Sequence, residues 1–265
     1  MKIFDCITFF RENFITNLRF EILNDCVDYF VICESNYDHK GKKKGINFRV
    51  ENEKFKKKVI HLVLDHQFPN PKNGWDCQAH QRDFILKNLH LANREDCILF
   101  SDPDEIPNPE KLKNLIFNKK YKIFMQKSYV YKFNIFNKFE SPWEGTRACL
   151  KKNLKSIDFM RQKVLKKNLR KWWRFDKEKS IELIDNGGWH FNNCFNSREI
   201  SLKLKTYAHQ EFSGIKYSDV KIIEEKIKKR EDIFYRGWTF DKVNLDETFP
   251  KYILQNQEKF KEFID

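Results

Sequence analysis

Hydrophobic positions in the first 125 residues fall into alternating strand-like and helix-like blocks. The apolar run KIFDCITFF, starting at Lys2, predicts a strand, and Ile15, Leu18 and Ile22 then recur at helical spacing. DYFVICES and VIHLVLD are two further short apolar runs, joined by a Lys-rich connection, and each predicts a strand. A helix is predicted from about Asp76 to Ala92, with Arg82, Ile85, Leu89 and Ala92 on one face, leading into the strand CILFSD. Repeated strand-helix-strand units predict a mainly parallel sheet flanked by helices, with ligands at the carboxyl ends of its strands.

The pattern changes after a short helix predicted from Pro109 to Phe117. YKIFMQKSYVYKFNIF is long, aromatic and alternating, which suits antiparallel or edge strands, and a second strand-like segment ends at GGWHFN. Between them lies the basic, aromatic stretch VLKKNLRKWWRF. The tail from Ser197 to Asp265 reads as mostly helical, with interruptions at Gly214, Gly237 and Pro250. There is no repeat and no linker-like stretch, so the expected organisation is one α/β domain over residues 1–265, with a mixed half from residue 126 onward.

Composition adds bounds to this picture. With 265 residues, 40% of them apolar, the chain can bury a substantial core. The formal charge of +13 favours polyanionic surroundings, but the charges are spread along the chain, which suits a solvated surface better than a nucleic-acid footprint. Seven cysteines lie mostly in apolar segments, with no CxxC pair and no zinc spacing, and read as reduced core residues. The first strand begins at residue 2, leaving no room for a signal peptide, and there is no 18-residue apolar run. The expected location is therefore cytoplasmic, with basic clusters offering peripheral contact at the inner face of a membrane.

The candidate chemistry centres on CILFSDPDEIPNP, an apolar strand that ends in Asp102, Asp104 and Glu105. Two carboxylates held close at a strand tip are a place to hold Mg²⁺ or Mn²⁺ against a phosphate, since hard cations complete their shells with substrate oxygens and water. The same acids would alternatively cap the helix predicted at Pro109. Arg82 lies on the core-facing side of its helix near the ligand edge, where it can meet a diphosphate or pair with a site acid. Glu34 closes the strand VICES, as a ribose ligand or as a turn residue. His190 follows two glycines that permit close backbone approach, and it is the first choice for a third metal ligand, with His209 second. The tryptophans of LRKWWRF either stack on a base or sugar or pack in the core while their cationic neighbours snorkel.

Together these blocks resemble glycosyltransferase family 17. The resemblance runs through KIFDCITFFREN, LRFEIL, VDYFVICESNYDHKG, HQRD, ILFSDPDEIPNP, GGWHFN, AHQEF and FPKYILQNQEKF. It implies a GT-A-like fold, with residues 1–125 as the nucleotide-sugar half and 126–265 as the acceptor half. It further implies a UDP-N-acetylglucosamine donor, a divalent metal, transfer with inversion, and a glycan or glycolipid acceptor. Carried onto this chain, Asp102, Asp104 and His190 would hold the metal, while Thr8, Glu34, Arg82 and Asp102 would line the donor pocket. The base must stand away from the metal-bound acids; Glu211, in the AHQEF block, is preferred over Glu144. The family's acceptor contacts find no counterpart between about Phe139 and Lys179. Two other classes remain as alternatives: a nucleotidyltransferase using an NTP, and a basic nucleic-acid-binding module whose acids are structural.

Overall fold

The computed structural model describes residues 1–71, 73–206 and 214–265. Strand β1 (Ile3–Phe9), helix α1 (Asn13–Leu23), β2 (Tyr29–Ser35), β3 (Val59–Leu64), α2 (Gly74–Lys87) and β4 (Cys97–Ser101) form the first half. They are followed by β5 (Glu105–Pro107), α3 (Pro109–Lys113), β6 (Tyr121–Val130), β7 (Ile135–Phe136), β8 (Trp143–Leu150) and α4 (Ile157–Lys163). The remainder comprises β9 (Ile181–Ile184), β10 (Gly188–Asn192), α5 (Ser197–Thr206), α6 (Ile215–Ser218), α7 (Val220–Lys229), β11 (Asp241–Lys242) and α8 (Lys251–Gln255).

One sheet carries all these strands. Its main path runs β11-β7-β6-β8-β4-β1-β2-β3, with β9 and β10 also pairing to β6 and β5 pairing to β10. The β4-β1-β2-β3 portion is parallel, as the strand-helix-strand pattern predicts, and β8 is antiparallel to both β4 and β6.

Alternation along β1 explains why helices cover both faces. Ile3, Ile7 and Phe9 pack with Ile15, Leu18 and Phe20 of α1, while Phe4 and Cys6 point the other way, toward Ile85 of α2 and Ile157 of α4. The predicted helix ending at Ala92 stops earlier, because the Asn88 N–H turns back to the carbonyls of Ile85 and Leu86; Leu89 and Ala92 stay buried in the same cluster beyond its end. All seven cysteines are free, and all but Cys26 are buried.

The long aromatic block is not an edge strand. At Tyr131, whose φ is 65°, it breaks into β6 and β7, and β6 has partners along both sides. Ten residues are long enough to share one edge: Tyr121–Phe124 pair with β9 and Lys127–Val130 with β10, while β8 occupies the other edge. Gly187 and Gly188 make this crowding feasible. A Cβ on Gly188, whose φ is +129°, would lie 2.2 Å from the Ile106 carbonyl oxygen, so only glycine fits where β10 starts between β5 and β6. The tryptophans of LRKWWRF are not core residues, since Trp172 and Trp173 are 76% and 56% exposed. No helix among the described residues is long and apolar enough to cross a membrane.

Candidate active site

A cavity of about 420 Å³ opens at the carboxyl ends of the parallel strands. Thr8 and Phe9 reach it from β1, Ser35 from β2, Asp102 and Asp104 from the turn after β4, His190 from β10 and Lys203 from α5. Its volume lies within the range of small-molecule sites.

The turn between β4 and β5 is held from behind by buried polar groups. Glu105 is fully buried, and its backbone N–H donates to the Asp102 carbonyl at 3.0 Å. Its side chain accepts from the Asp102 N–H at 3.1 Å, from Trp143 Nε1 at 2.6 Å and from Arg161 at 2.7 Å, so it braces the turn. Arg19 of α1 anchors the same turn from the other side. It is fully buried, pairs in two-pronged fashion with Asp5, and donates to the Glu105 carbonyl and to Ser101 Oγ. In the sequence, Arg19 falls on the stripe Ile15-Leu18-Ile22; a cation on an apolar stripe is the signal that marks it as an internal partner.

Asp102 and Asp104 have different surroundings. Asp102 Oδ2 accepts from Arg161 at 2.7 Å, and Oδ1 lies 3.6 Å from Arg82. Burial alone would raise its pKa, but the charges of Arg161 and Arg82 outweigh that and hold it at about 2. Asp104 instead faces Lys203, 3.4 Å from its Oδ2, and His190, whose Nε2 is 3.7 Å from its Oδ1. Burial disfavours the Lys203 charge, yet Asp104 and Glu12 hold its pKa above the ordinary lysine value. The His190 ring stacks on Trp143 at 4.8 Å, which fixes its orientation.

These surroundings decide which side chains suit a divalent ion. Among the described residues no three His, Cys, Asp or Glu side chains cluster to hold an ion by themselves. A cation bridging a diphosphate needs only one or two protein ligands. Asp104 Oδ1 and His190 Nε2 fit such a pair, because at 3.7 Å they are too far apart to hydrogen-bond, and two ligands on one ion, each about 2.1 Å from it, sit roughly 3–4 Å apart. The other ring nitrogen, buried Nδ1, has no hydrogen-bond partner, so the stacking on Trp143 is what orients the imidazole. Asp102 is already engaged by two guanidinium groups.

The other expected site residues are distributed unevenly. Thr8 lines the cavity. Arg82 is not among the residues lining this cavity but lines a second one beside it; it donates to Asp158 at 3.0 Å and lies 3.6 Å from Asp102. Glu34 does not line the cavity. Its carboxylate accepts from the backbone N–H groups of Asn47 and Phe48 at 2.7 and 3.0 Å and pairs with Lys44 and His61. Burial pushes that carboxyl up, but the His61 ring 3.3 Å away and the backbone hydrogen bonds prevail and lower it, so Glu34 pins the 44–48 loop. Glu144 lies on a second cavity of about 460 Å³ that shares Asp102 and Trp143 with the first; its Oε2 accepts from the Lys166 N–H at 2.9 Å and pairs with Arg147. Glu211 and His209 lie outside the described residues.

Sequence reasoning missed Arg161, Trp143 and Lys203. Arg161 and Trp143 lie in the stretch without a motif, and Lys203 is one lysine among many; only the fold brings them to the acids.

Comparison with known proteins covers the whole chain. The family model described as glycosyltransferase family 17 matches residues 1–264. A human beta-1,4-mannosyl-glycoprotein 4-beta-N-acetylglucosaminyltransferase is 25% identical over 302 aligned positions, covering 100% of this chain and 55% of the human protein. The rat protein of the same name is 24% identical, with 54% of its length covered. The chain thus spans about half the length of these curated relatives.

Proposed function

The chain belongs to glycosyltransferase family 17, and on that premise we propose that it transfers N-acetylglucosamine, with inversion, from UDP-N-acetylglucosamine to a hydroxyl of a glycan or glycolipid acceptor. The observation that carries this reading is the cavity at the carboxyl ends of the parallel strands, with Asp104, His190 and Lys203 converging on it. Nucleotide ligands of open α/β sheets bind at such ends.

Asp104 and His190 would hold Mn²⁺ or Mg²⁺, which when bound neutralises charge on the leaving diphosphate. Lys203, kept protonated by its acidic neighbours, adds a second positive charge on the same side of the cavity. Asp102, kept ionised by its arginines, accepts hydrogen bonds from donor hydroxyls. A carboxylate base, Glu211 or Glu144, removes the acceptor proton; the acceptor oxygen attacks the anomeric carbon as the bond to the diphosphate oxygen breaks, and UDP leaves. Arg161 and Trp143 grip Glu105 and so hold the acid-bearing turn in place during the displacement.

A screen of nucleotide sugars with and without Mn²⁺ tests the reading. Metal-dependent turnover of UDP-N-acetylglucosamine is the expected result, and an absence of turnover with every nucleotide sugar would sink it.

A further inference from the structure

We propose that the excursion between α4 and β9 is a membrane-docking loop that seats the protein on a bilayer containing anionic phospholipid. Residues 169–176 form an unbroken exposed run. Within it Leu169, Trp172, Trp173 and Phe175 are 40%, 76%, 56% and 90% exposed, a concentration of large apolar side chains that soluble surfaces seldom carry without a partner. Residues 166–179 also carry seven Lys and Arg against two acids, a net of +5 out of the chain's +13.

The loop has a fixed base. Val164 and Asn168 are buried beneath it, and Asn168 Nδ2 donates to the Lys163 carbonyl at 2.8 Å. Lys179 Nζ closes the far side by donating to the carbonyls of Asn168 and Lys171. The aromatic tip is therefore presented by a braced scaffold.

The side-chain chemistry selects the occupant. Aromatic rings can stack on sugars and bases, but aliphatic Leu169 has no such use, whereas an apolar tip ringed by cations matches the boundary between acyl chains and anionic headgroups. There, indole rings sit at headgroup depth and lysine and arginine meet phosphates. The loop also adjoins the second cavity: Leu165 lines it, and the Lys166 N–H bonds to Glu144 beside it. Docking would bring a lipid-linked acceptor to that cavity, a consequence that rests on the proposed transferase reading.

Vesicle sedimentation without substrate tests docking independently of activity. Wild type should sediment with phosphatidylcholine vesicles containing phosphatidylglycerol, less so as salt is raised, and bromolipids should quench its tryptophan fluorescence. Trp172→Ser/Trp173→Ser/Phe175→Ser should weaken this binding at least about tenfold and abolish the quenching. A second variant, Lys167→Gln/Arg170→Gln/Lys171→Gln, should lose about fivefold per cation removed, with an unchanged unfolding midpoint. The proposal is overturned if wild type ignores phosphatidylglycerol vesicles, if the aromatic variant binds them as wild type does, or if the loop binds single-stranded nucleic acid and no vesicle. Loss of sugar transfer with vesicle binding intact would count against the transferase reading alone.

Discussion

Asp102 and Asp104 are two residues apart, yet they have different partners. Asp102 is clamped by Arg161 and Arg82, whereas Asp104 shares space with His190 and Lys203. The clamp has a consequence for pH. The Asp102 pKa falls from an ordinary 3.8 to about 2, so its ionised form contributes stability that is fully present above pH 3.8 and lost as pH falls through 2. Asp102→Asn should therefore unfold at a lower temperature than wild type by a constant margin from neutral pH to about 4, with the gap closing below that. Differential scanning fluorimetry across pH checks this; a gap that narrows between pH 7 and 5 contradicts the assignment. The sequence made the Asp-x-Asp pair legible as a candidate site because an apolar strand rarely ends in clustered acids without a use, and both acids do line the cavity. It did not reveal their different partners, since Arg161 approaches from a segment 59 residues away. Glu34 illustrates the opposite problem: a strand-tip acid resembles a ligand in sequence, but its oxygens are taken by a loop that is itself patternless.

At the scale of elements, α1 does more than cover the sheet. Its buried Arg19 ties β1, through Asp5, to the turn that carries the site acids. Arg19→Met should cost about 3–5 kcal/mol, because it leaves Asp5 charged and unpaired in the core. Arg19→Met/Asp5→Leu should recover most of that loss, since replacing both members of a buried pair is often nearly neutral. Urea unfolding of the two variants measures the difference; equal losses would mean that Arg19 acts through something other than its pairing with Asp5. The parallel strands were readable because each is a short apolar run bounded by polar residues. The place of β6 inside the sheet was not, because its partners in β8, β9 and β10 lie 17 to 62 residues further along the chain. The glycine pair was a partial clue: close approach was predicted at GGWHFN, and the crowding of Gly188 against Ile106 is where it occurs.

For the whole molecule, the sheet gathers one site from both halves of the chain. The first half supplies Thr8, Asp102 and Asp104, and the second supplies Trp143, His190 and Lys203. In the proposed function, Asp104 and His190 share a divalent cation that joins the UDP-sugar to the protein. The most direct measurement is a titration of UDP-N-acetylglucosamine into wild type and Asp104→Ala, each with and without Mn²⁺. Wild type should bind more tightly when Mn²⁺ is present, and Asp104→Ala should lose about 10–100-fold of that metal-dependent affinity while remaining folded. Full retention of the Mn²⁺ effect in Asp104→Ala would rule out Asp104 as a ligand of that cation.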